Sequence, residues 1–213
     1  MSAQQQSTNP RIIHGYLLLL LFAGTRFVPA LSQSWPWPLL APLIGYFMVV
    51  LCLPPLRSSL VWLRVGRLTL VSLAVTFLVI VLASLVLIAV VRPQNTGHRA
   101  FLPFEQSCGL LAAGCLFSVF NALREEFFFR GILLDSLDSL WGKWAAIGIS
   151  GVIFGMAHLH GVPSGISGVC LAAIYGIALG GLRVWTGGLL LPIVAHIAAD
   201  AIIFYVLAHA GHP

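Results

Sequence analysis

Long apolar segments, separated by short polar or Pro- and Gly-containing stretches, dominate the pattern along the chain. The apolar runs are continuous rather than alternating, which favours helices over a transmembrane barrel. About 20 apolar residues cross a bilayer as a helix. We therefore predict an all-α, polytopic bundle of about seven transmembrane helices, with six or eight as alternatives. The predicted spans lie near residues 12–31, 38–55, 68–91, 107–134, 145–160, 166–183 and 188–208.

The composition indicates an integral membrane protein. Apolar residues make up 59% and charged residues 8% of the 213 residues, whereas soluble proteins have roughly 45–50% and about 25%. We expect residues 1–213 to form one domain whose surroundings are the lipid bilayer. A cleaved signal peptide is an alternative for the first segment, but the hydrophobic pattern continues beyond it, so we expect a retained span.

The small basic excess indicates an orientation in the membrane. The net charge of +5 includes no dense basic run, so we predict no nucleic-acid partner. The positive-inside rule places the basic loop 56–67 in the cytoplasm. Six basic residues then lie inside: Arg11, Arg57, Arg64, Arg67, Lys143 and Arg183. Three lie outside, Arg26, Arg92 and Arg99. The four cysteines form no CxxC pair, and we expect them to be buried packing residues.

Chemically active residues concentrate in the second half of the chain. Arg124, Glu125, Glu126 and Arg130 lie in one apolar segment, where each charge costs roughly 2.5–3.5 kcal/mol. Glu126 and Arg130 are four residues apart and can pair on one helix face. Glu125 is rotated by about 100° from Glu126, so it points to another side of the helix and does not take part in this pair. A purely structural ion-pair network is the alternative.

Histidines occur in two further helices. Phe154 and His158 are four residues apart, as are His196 and Asp200, so each pair shares a helix face. Glu125 lies 17 residues before Gly142 and His158 lies 16 after it, so both are about 25 Å from one turn. A second turn near Gly187 brings the other pair to a similar depth.

Carboxylates and imidazoles at one depth are suited to activating water. Glu125 can act as general base and His158 can orient the water. His196, held by Asp200, can donate a hydrogen bond to the oxyanion of an attacked carbonyl. The predicted reaction is hydrolysis of an amide within or beside the membrane, and we assign no metal and no cofactor.

Three motifs resemble those of a known family. EEFFFR at 125–130, FGMAH at 154–158 and HIAAD at 196–200 are similar to the motifs of the CAAX-processing and bacteriocin-processing (CPBP, or Abi) intramembrane proteases. The resemblance covers about the last hundred residues, within a catalytic helical core at 107–208.

The resemblance implies a glutamate-dependent endopeptidase. Glu125 and His158 would activate water, His196 and Asp200 would shape the oxyanion site, and Glu126, Arg130 and Phe154 would support them. Asp200 stands where some members have Asn. An ionised Asp accepts but cannot donate a hydrogen bond, so it is either protonated or orients His196, and we favour the second.

The resemblance also implies the setting and the substrate. We expect a multi-pass protein of a bacterial or archaeal cell (inner) membrane. The substrate would be a membrane-anchored protein or peptide cut near its C-terminus: a prenylated CAAX tail, a bacteriocin leader or a sorting tail. A site toward the outer leaflet favours a sorting tail, as for the myxosortase-like members. The oligomeric state is not given by the sequence.

Three other functions are compatible with parts of the sequence. Glu125, Glu126, His158, His196 and Asp200 are acceptable ligand types for a divalent metal ion, although no HExxH motif is present. GISG at 165–168 resembles the GxSG of rhomboid proteases, with Ser167 as nucleophile. A non-catalytic transporter, immunity factor or scaffold is the third, because carboxylate–histidine groups also relay protons.

Overall fold

The computed structural model describes residues 9–33, 37–90 and 107–209, and these are almost entirely helical. The first half contains α1 (Pro10–Arg26), α2 (Pro29–Ser32), α3 (Trp37–Cys52), α4 (Pro54–Ser58) and α5 (Leu70–Val90). A long helical course follows: α6 (Ser107–Glu125), a π-helical segment (Glu126–Leu133) and α7 (Leu134–Trp141). The last three helices are α8 (Lys143–Ala157), α9 (Gly165–Thr186) and α10 (Leu190–His209).

The all-α class is confirmed, but the count of seven spans is not. Among the described residues, α5 and α9 are the two helices that are long and apolar enough to cross a membrane. The apolar lengths of α3, α8 and α10 are shorter: Leu40–Cys52, Lys143–Ala157 and Leu190–Val206. The fourth predicted segment ends too early at residue 134. The chain stays helical to Trp141 because Leu134 and Leu137 pack against α8.

Glycines end two helices where the sequence predicts turns. Gly142 has a φ of +80° between α7 and α8, and Gly187 has a φ of +75° after α9. A side chain with a Cβ atom rarely adopts such an angle, so glycine allows the sharp reversal at both places. These two turns lie at the same end of the bundle, next to Trp141 and Trp144, whose side chains are exposed.

Many large apolar side chains cover the outside of the bundle. On α5, Leu70 is 84% exposed and Phe77 is 68% exposed. In water such a helix face would be unstable, whereas lipid tails solvate it. The cysteine prediction was wrong for the same reason at Cys52, Cys115 and Cys170, which are exposed. The side chain of Cys108 lies outside the described part of the structure. An apolar side chain in a membrane protein can face lipid instead of the core.

The π-helical segment packs against several parts of the bundle through its aromatic side chains. Phe127 packs edge-on against Trp62, Phe128 against Phe22, and Phe129 against Phe154. Three consecutive rings therefore contact three different parts of the bundle. Trp62 is fully buried, and it packs so closely on Gly131 that a Cβ at this glycine would lie 2.7 Å from the indole. The segment that carries the acidic motif is thus held on several sides.

Small residues allow α8 and α9 to cross at short distance. A Cβ on Gly151 would lie 2.9 Å from the Ile177 amide nitrogen, and one on Gly155 would lie 2.7 Å from the Ala173 Cβ. Gly151 and Gly155 form a GxxxG pattern, which lets helix backbones approach closely in membranes. This close crossing brings the end of α8, with Phe154 and His158, beside α9.

Several charged residues that the sequence assigns to the cytoplasm do lie together. Arg11 binds the Asp135 carboxylate through two nitrogens, each at 2.8 Å, and also contacts Asp138 at 2.8 Å. Arg183 lies 3.7 Å from Asp135, and Arg67 donates to the Trp185 carbonyl. This is the end of the bundle with the Gly142 turn. His158 lies at the opposite end of α8, which has 15 residues, so it is about 22 Å from the Gly142 turn.

Candidate active site

A buried ion pair forms the base of the site. Glu126 is fully buried and Arg130 is 1% exposed. Arg130 Nη1 donates to Glu126 Oε1 at 2.6 Å, as their spacing predicts. The guanidinium also lies over the Phe154 ring at 4.2 Å from its centroid, where a cation–π contact compensates part of its desolvation.

Glu125 has two differently placed carboxylate oxygens. Oε1 accepts a hydrogen bond from Arg124 at 2.6 Å. Oε2 is buried and has no hydrogen-bond partner among the described residues. It faces His158 Nε2 at 3.7 Å and His196 Nε2 at 3.6 Å. The spacing-based prediction that Glu125 and His158 meet therefore agrees with the geometry.

The tautomer of His158 follows from its position at the end of α8. Its Nδ1 lies 2.8 Å from the Phe154 carbonyl oxygen. A carbonyl can only accept, so Nδ1 carries the proton and donates. In the neutral ring Nε2 is then an acceptor that faces Glu125. Phe154 supports this orientation as well, because its ring lies 4.3 Å from the imidazole, centroid to centroid.

His196 lies between the two carboxylates of the acidic motif. Its Nδ1 is 2.7 Å from Glu126 Oε1, and its Nε2 faces Glu125. Asp200 Oδ1 is 3.8 Å from the same Nε2, which is beyond hydrogen-bond distance. The expectation that Asp200 holds His196 therefore differs from the structure, in which Glu126 is the hydrogen-bond partner.

Glu125 and Glu126 both face His196, and this has a local cause. The sequence estimate assumed one continuous α-helix, in which Glu125 would point away from the Glu126 site. The helix instead changes from α to π between these two residues, and π-turns are frequent at functional sites. Because the two nitrogens of His196 are on opposite sides of its ring, both carboxylates can face one imidazole.

Asp200 is linked to the acidic motif through Asn121. The Asn121 amide donates to Asp200 Oδ2 at 3.0 Å, and Arg124 donates to the Asn121 carbonyl oxygen at 2.6 Å. Arg124 also binds Glu125, so these four residues form one chain of hydrogen bonds. Sequence reasoning missed Asn121. Its position four residues before Glu125, hence on the same helix face, was the available signal.

An apolar cavity of about 360 Å³ opens onto this cluster. Its walls come from α5, the α8–α9 connection, α9 and α10, and they include His158, His196 and Asp200. Helix α5 contributes Val79, Leu82 and Val86 to this lining. Tyr175 of α9 also lines it, with its ring 6.1 Å from His196. No sequence signal indicated Tyr175, since a lone tyrosine in an apolar helix is common.

The structure also describes residues on which the serine-protease and metal-site alternatives depend. Ser167 is exposed, and its hydroxyl donates to the Ser164 carbonyl at 3.3 Å. Within the described parts of the chain, no three His, Cys, Asp or Glu side chains are arranged as a metal site.

Comparison with known proteins gives one match. Residues 107–202 match the family model described as "Rce1-like: Type II CAAX prenyl endopeptidase". The match contains all the motif residues from Glu125 to Asp200, in agreement with the family that the motifs indicate. Neither the curated proteins nor the solved structures contain a match to this chain.

Proposed function

We propose an intramembrane endopeptidase mechanism for this protein, whose residues 107–202 belong to the Rce1-like CAAX protease family of membrane proteases. The substrate is a peptide bond near the C-terminus of a membrane-associated, lipid-modified or sorting-tail protein. The 3.7 Å between Glu125 Oε2 and His158 Nε2 carries the proposal. It is too long for a direct hydrogen bond but places both atoms within reach of a single water molecule.

Glu125 and His158 divide the work on this water. Nε2 of neutral His158 accepts one water proton as a hydrogen bond and fixes the orientation. Glu125 Oε2 removes the other proton as the water oxygen attacks the carbonyl carbon. The carboxylic acid so formed then gives its proton to the leaving amine nitrogen as the C–N bond breaks. The products are a new C-terminal carboxylate and a free amine.

Two neighbouring groups keep Glu125 ready for this role. Arg124 occupies its Oε1 at 2.6 Å, so the carboxylate cannot rotate freely and Oε2 stays directed at the imidazoles. The side chain of Glu125 is 13% exposed, so the base lies in a largely dehydrated site where charge interactions are strong.

His196 and Asp200 act at the carbonyl side of the reaction. With Nδ1 held by Glu126, the Nε2 of His196 points to the place where the carbonyl would lie, and it can donate there when it carries a proton. Asp200 is held by Asn121 rather than by His196, so we assign it a role in shaping this pocket. Glu126 and Arg130 position His196, and Phe154 positions His158.

The apolar cavity is consistent with an apolar substrate segment. A prenyl chain or the hydrophobic tail of a sorting signal both fit such walls. The charged end of the bundle next to Gly142 contains Arg11, Arg67 and Arg183, and the positive-inside rule places it in the cytoplasm. The site then lies toward the outer leaflet, which favours an exported protein of a bacterial or archaeal membrane.

Cleavage assays with a glutamate variant test the mechanism. Purified wild type and Glu125→Gln are incubated in lipid nanodiscs with two quenched fluorescent peptides, a farnesylated CAAX peptide and an unprenylated sorting tail. We expect Glu125→Gln to lower kcat by at least about 10²-fold, since that is the lower end of general-base contributions. Asp138→Asn is the matched control, because it makes the same carboxylate-to-amide change at the other end of the bundle.

Chelator and substrate controls separate the alternatives. Activity that persists after dialysis against chelator supports the glutamate mechanism. Loss that one divalent metal restores would make Glu125 and the histidines ligands and refute it. If wild type cleaves neither peptide, or if Glu125→Gln cleaves as fast as wild type, the proposed function is wrong, and a non-catalytic membrane role becomes the better explanation.

A further inference from the structure

Buried polar atoms without a partner are concentrated at the site. In the described ranges, six buried side-chain atoms make no hydrogen bond, and four of them belong to Glu125, Glu126, Arg130 and Tyr175. Such atoms are rare in folded proteins and usually have a functional reason. The two glutamate oxygens are acceptors, whereas Arg130 Nη2 and Tyr175 Oη can donate.

Of these two donors, Tyr175 lines the cavity. Its ring is nearly perpendicular to the His196 imidazole, with an interplanar angle of 88° and 6.1 Å between the centroids. Arg130 is at the base of the site and is not part of the cavity wall. Its Nη2 lies close against α9, since a Cβ on Gly176 would be 3.2 Å from it. Among the described residues, Tyr175 is therefore the cavity-lining residue that has a buried, unpaired hydroxyl.

The proposed reaction needs such a donor. Attack of water moves negative charge onto the carbonyl oxygen, and preorganised donors at that atom stabilise the transition state. The nearby polar groups are already engaged: the Asn121 amide donates to Asp200, and His196 Nδ1 is bonded to Glu126. His196 Nε2 faces the carboxylates of Glu125 and Asp200, which compete for any proton on it.

We propose that the hydroxyl of Tyr175 donates a hydrogen bond to the substrate carbonyl oxygen as it becomes the oxyanion, alongside His196. This inference rests on the proposed endopeptidase function and adds a catalytic residue to it. Tyrosine suits the position because its ring packs among the apolar cavity walls while its hydroxyl remains a donor.

The same geometry predicts how the fold responds to loss of the hydroxyl. A buried hydroxyl without a partner destabilises the folded protein until a substrate is bound. Tyr175→Phe removes this group and keeps the ring, so its melting temperature should equal or exceed that of wild type. A residue that served only the fold would show the opposite.

Kinetics with Tyr175→Phe test the proposal. We expect kcat for the farnesylated or the unprenylated quenched peptide, whichever wild type cleaves, to fall by about 10²–10³-fold, the usual effect of removing one oxyanion donor, with KM nearly unchanged. Binding is measured separately in the inactive Glu125→Gln background, where adding Tyr175→Phe should leave the peptide Kd within about twofold. Tyr16→Phe is the matched control, since Tyr16 is 63% exposed on α1.

Each other result contradicts the inference in a recognisable way. A Tyr175→Phe kcat within twofold of wild type means that the hydroxyl has no catalytic role. A weaker Kd with unchanged kcat means that it binds the ground state only, and a parallel fall in kcat and melting temperature means that its role is structural. Inactive wild type or active Glu125→Gln would instead refute the underlying endopeptidase function.

Discussion

Removing one partner of the Glu126–Arg130 pair is expected to destabilise the protein more than removing both. Glu126 is fully buried, Arg130 is 1% exposed, and their charged atoms are 2.6 Å apart. Arg130→Met leaves a buried carboxylate without its cation, and Glu126→Gln leaves a buried guanidinium without its anion. The double variant contains neither charge.

The magnitude follows from the distance and the burial. At an effective dielectric constant of about 20, two unit charges at this separation attract by about 6 kcal/mol, before the cost of desolvation. Breaking one side of a buried pair typically costs about 3–5 kcal/mol, whereas replacing both partners by uncharged groups is often nearly neutral. We expect about 3–5 kcal/mol for each single variant and a smaller effect for the double variant, so the coupling energy should be at least about 3 kcal/mol.

Reversible unfolding in mixed micelles measures these free energies. Titration with sodium dodecyl sulfate, followed by the fluorescence of the six tryptophans, gives the free energy of unfolding of wild type, both single variants and the double variant. Asp138→Asn serves as control, because its side chain is 31% exposed in the pair with Arg11 and such pairs contribute about 0–1 kcal/mol.

Additivity would refute the reasoning. If the two single effects sum to that of the double variant within about 0.5 kcal/mol, the charges do not interact across the site. If the single variants are as stable as wild type, the pair is not desolvated in the membrane. Activity should be strongly reduced in both single variants, since Glu126 also binds His196 at 2.7 Å.

Three further predictions follow from the packing and the hydrogen bonds. Gly155→Ala should lower the melting temperature and the activity because its Cβ would press α9 away from α8, whereas Gly148→Ala, which has open space, should change neither; equal effects would contradict the close crossing. Asp200→Asn should keep partial activity in the cleavage assay, because an amide can still accept from Asn121, and complete loss in a folded variant would show that the carboxylate itself is required. In a cysteine-free background, Val162→Cys should label with an impermeant maleimide from outside intact cells and Ser58→Cys only after lysis; the reverse pattern would invert the proposed orientation.

Features that depend on neighbouring residues along the chain could be predicted from the sequence. Apolar runs predict helices wherever they occur, because a backbone in lipid must satisfy its own hydrogen bonds. The reversals at Gly142 and Gly187 are also predictable locally, because glycine adopts positive φ angles readily. The Glu126–Arg130 pair is four residues apart, so local helix geometry suffices to bring its charges together.

The number of spans and the exposure of individual side chains were harder to predict from the sequence. Helices such as α3 and α8 have apolar stretches too short to be identified as spans by length alone. Cys115 and Cys170 are exposed although their surroundings are apolar, because hydrophobicity does not distinguish a residue in the core from one in contact with lipid. Which face of each helix is buried is decided by the neighbouring helices.

The sequence by itself determined the class of the protein and the residues of its motifs, and the tertiary structure decided how those residues face each other. The partner of His196 is Glu126 instead of Asp200, because the helix changes from α to π at this motif and redirects both carboxylates. Asn121 and Tyr175 join the site through contacts between helices. Such contacts depend on rotation and depth, which side-chain packing sets and a pattern along one helix does not contain.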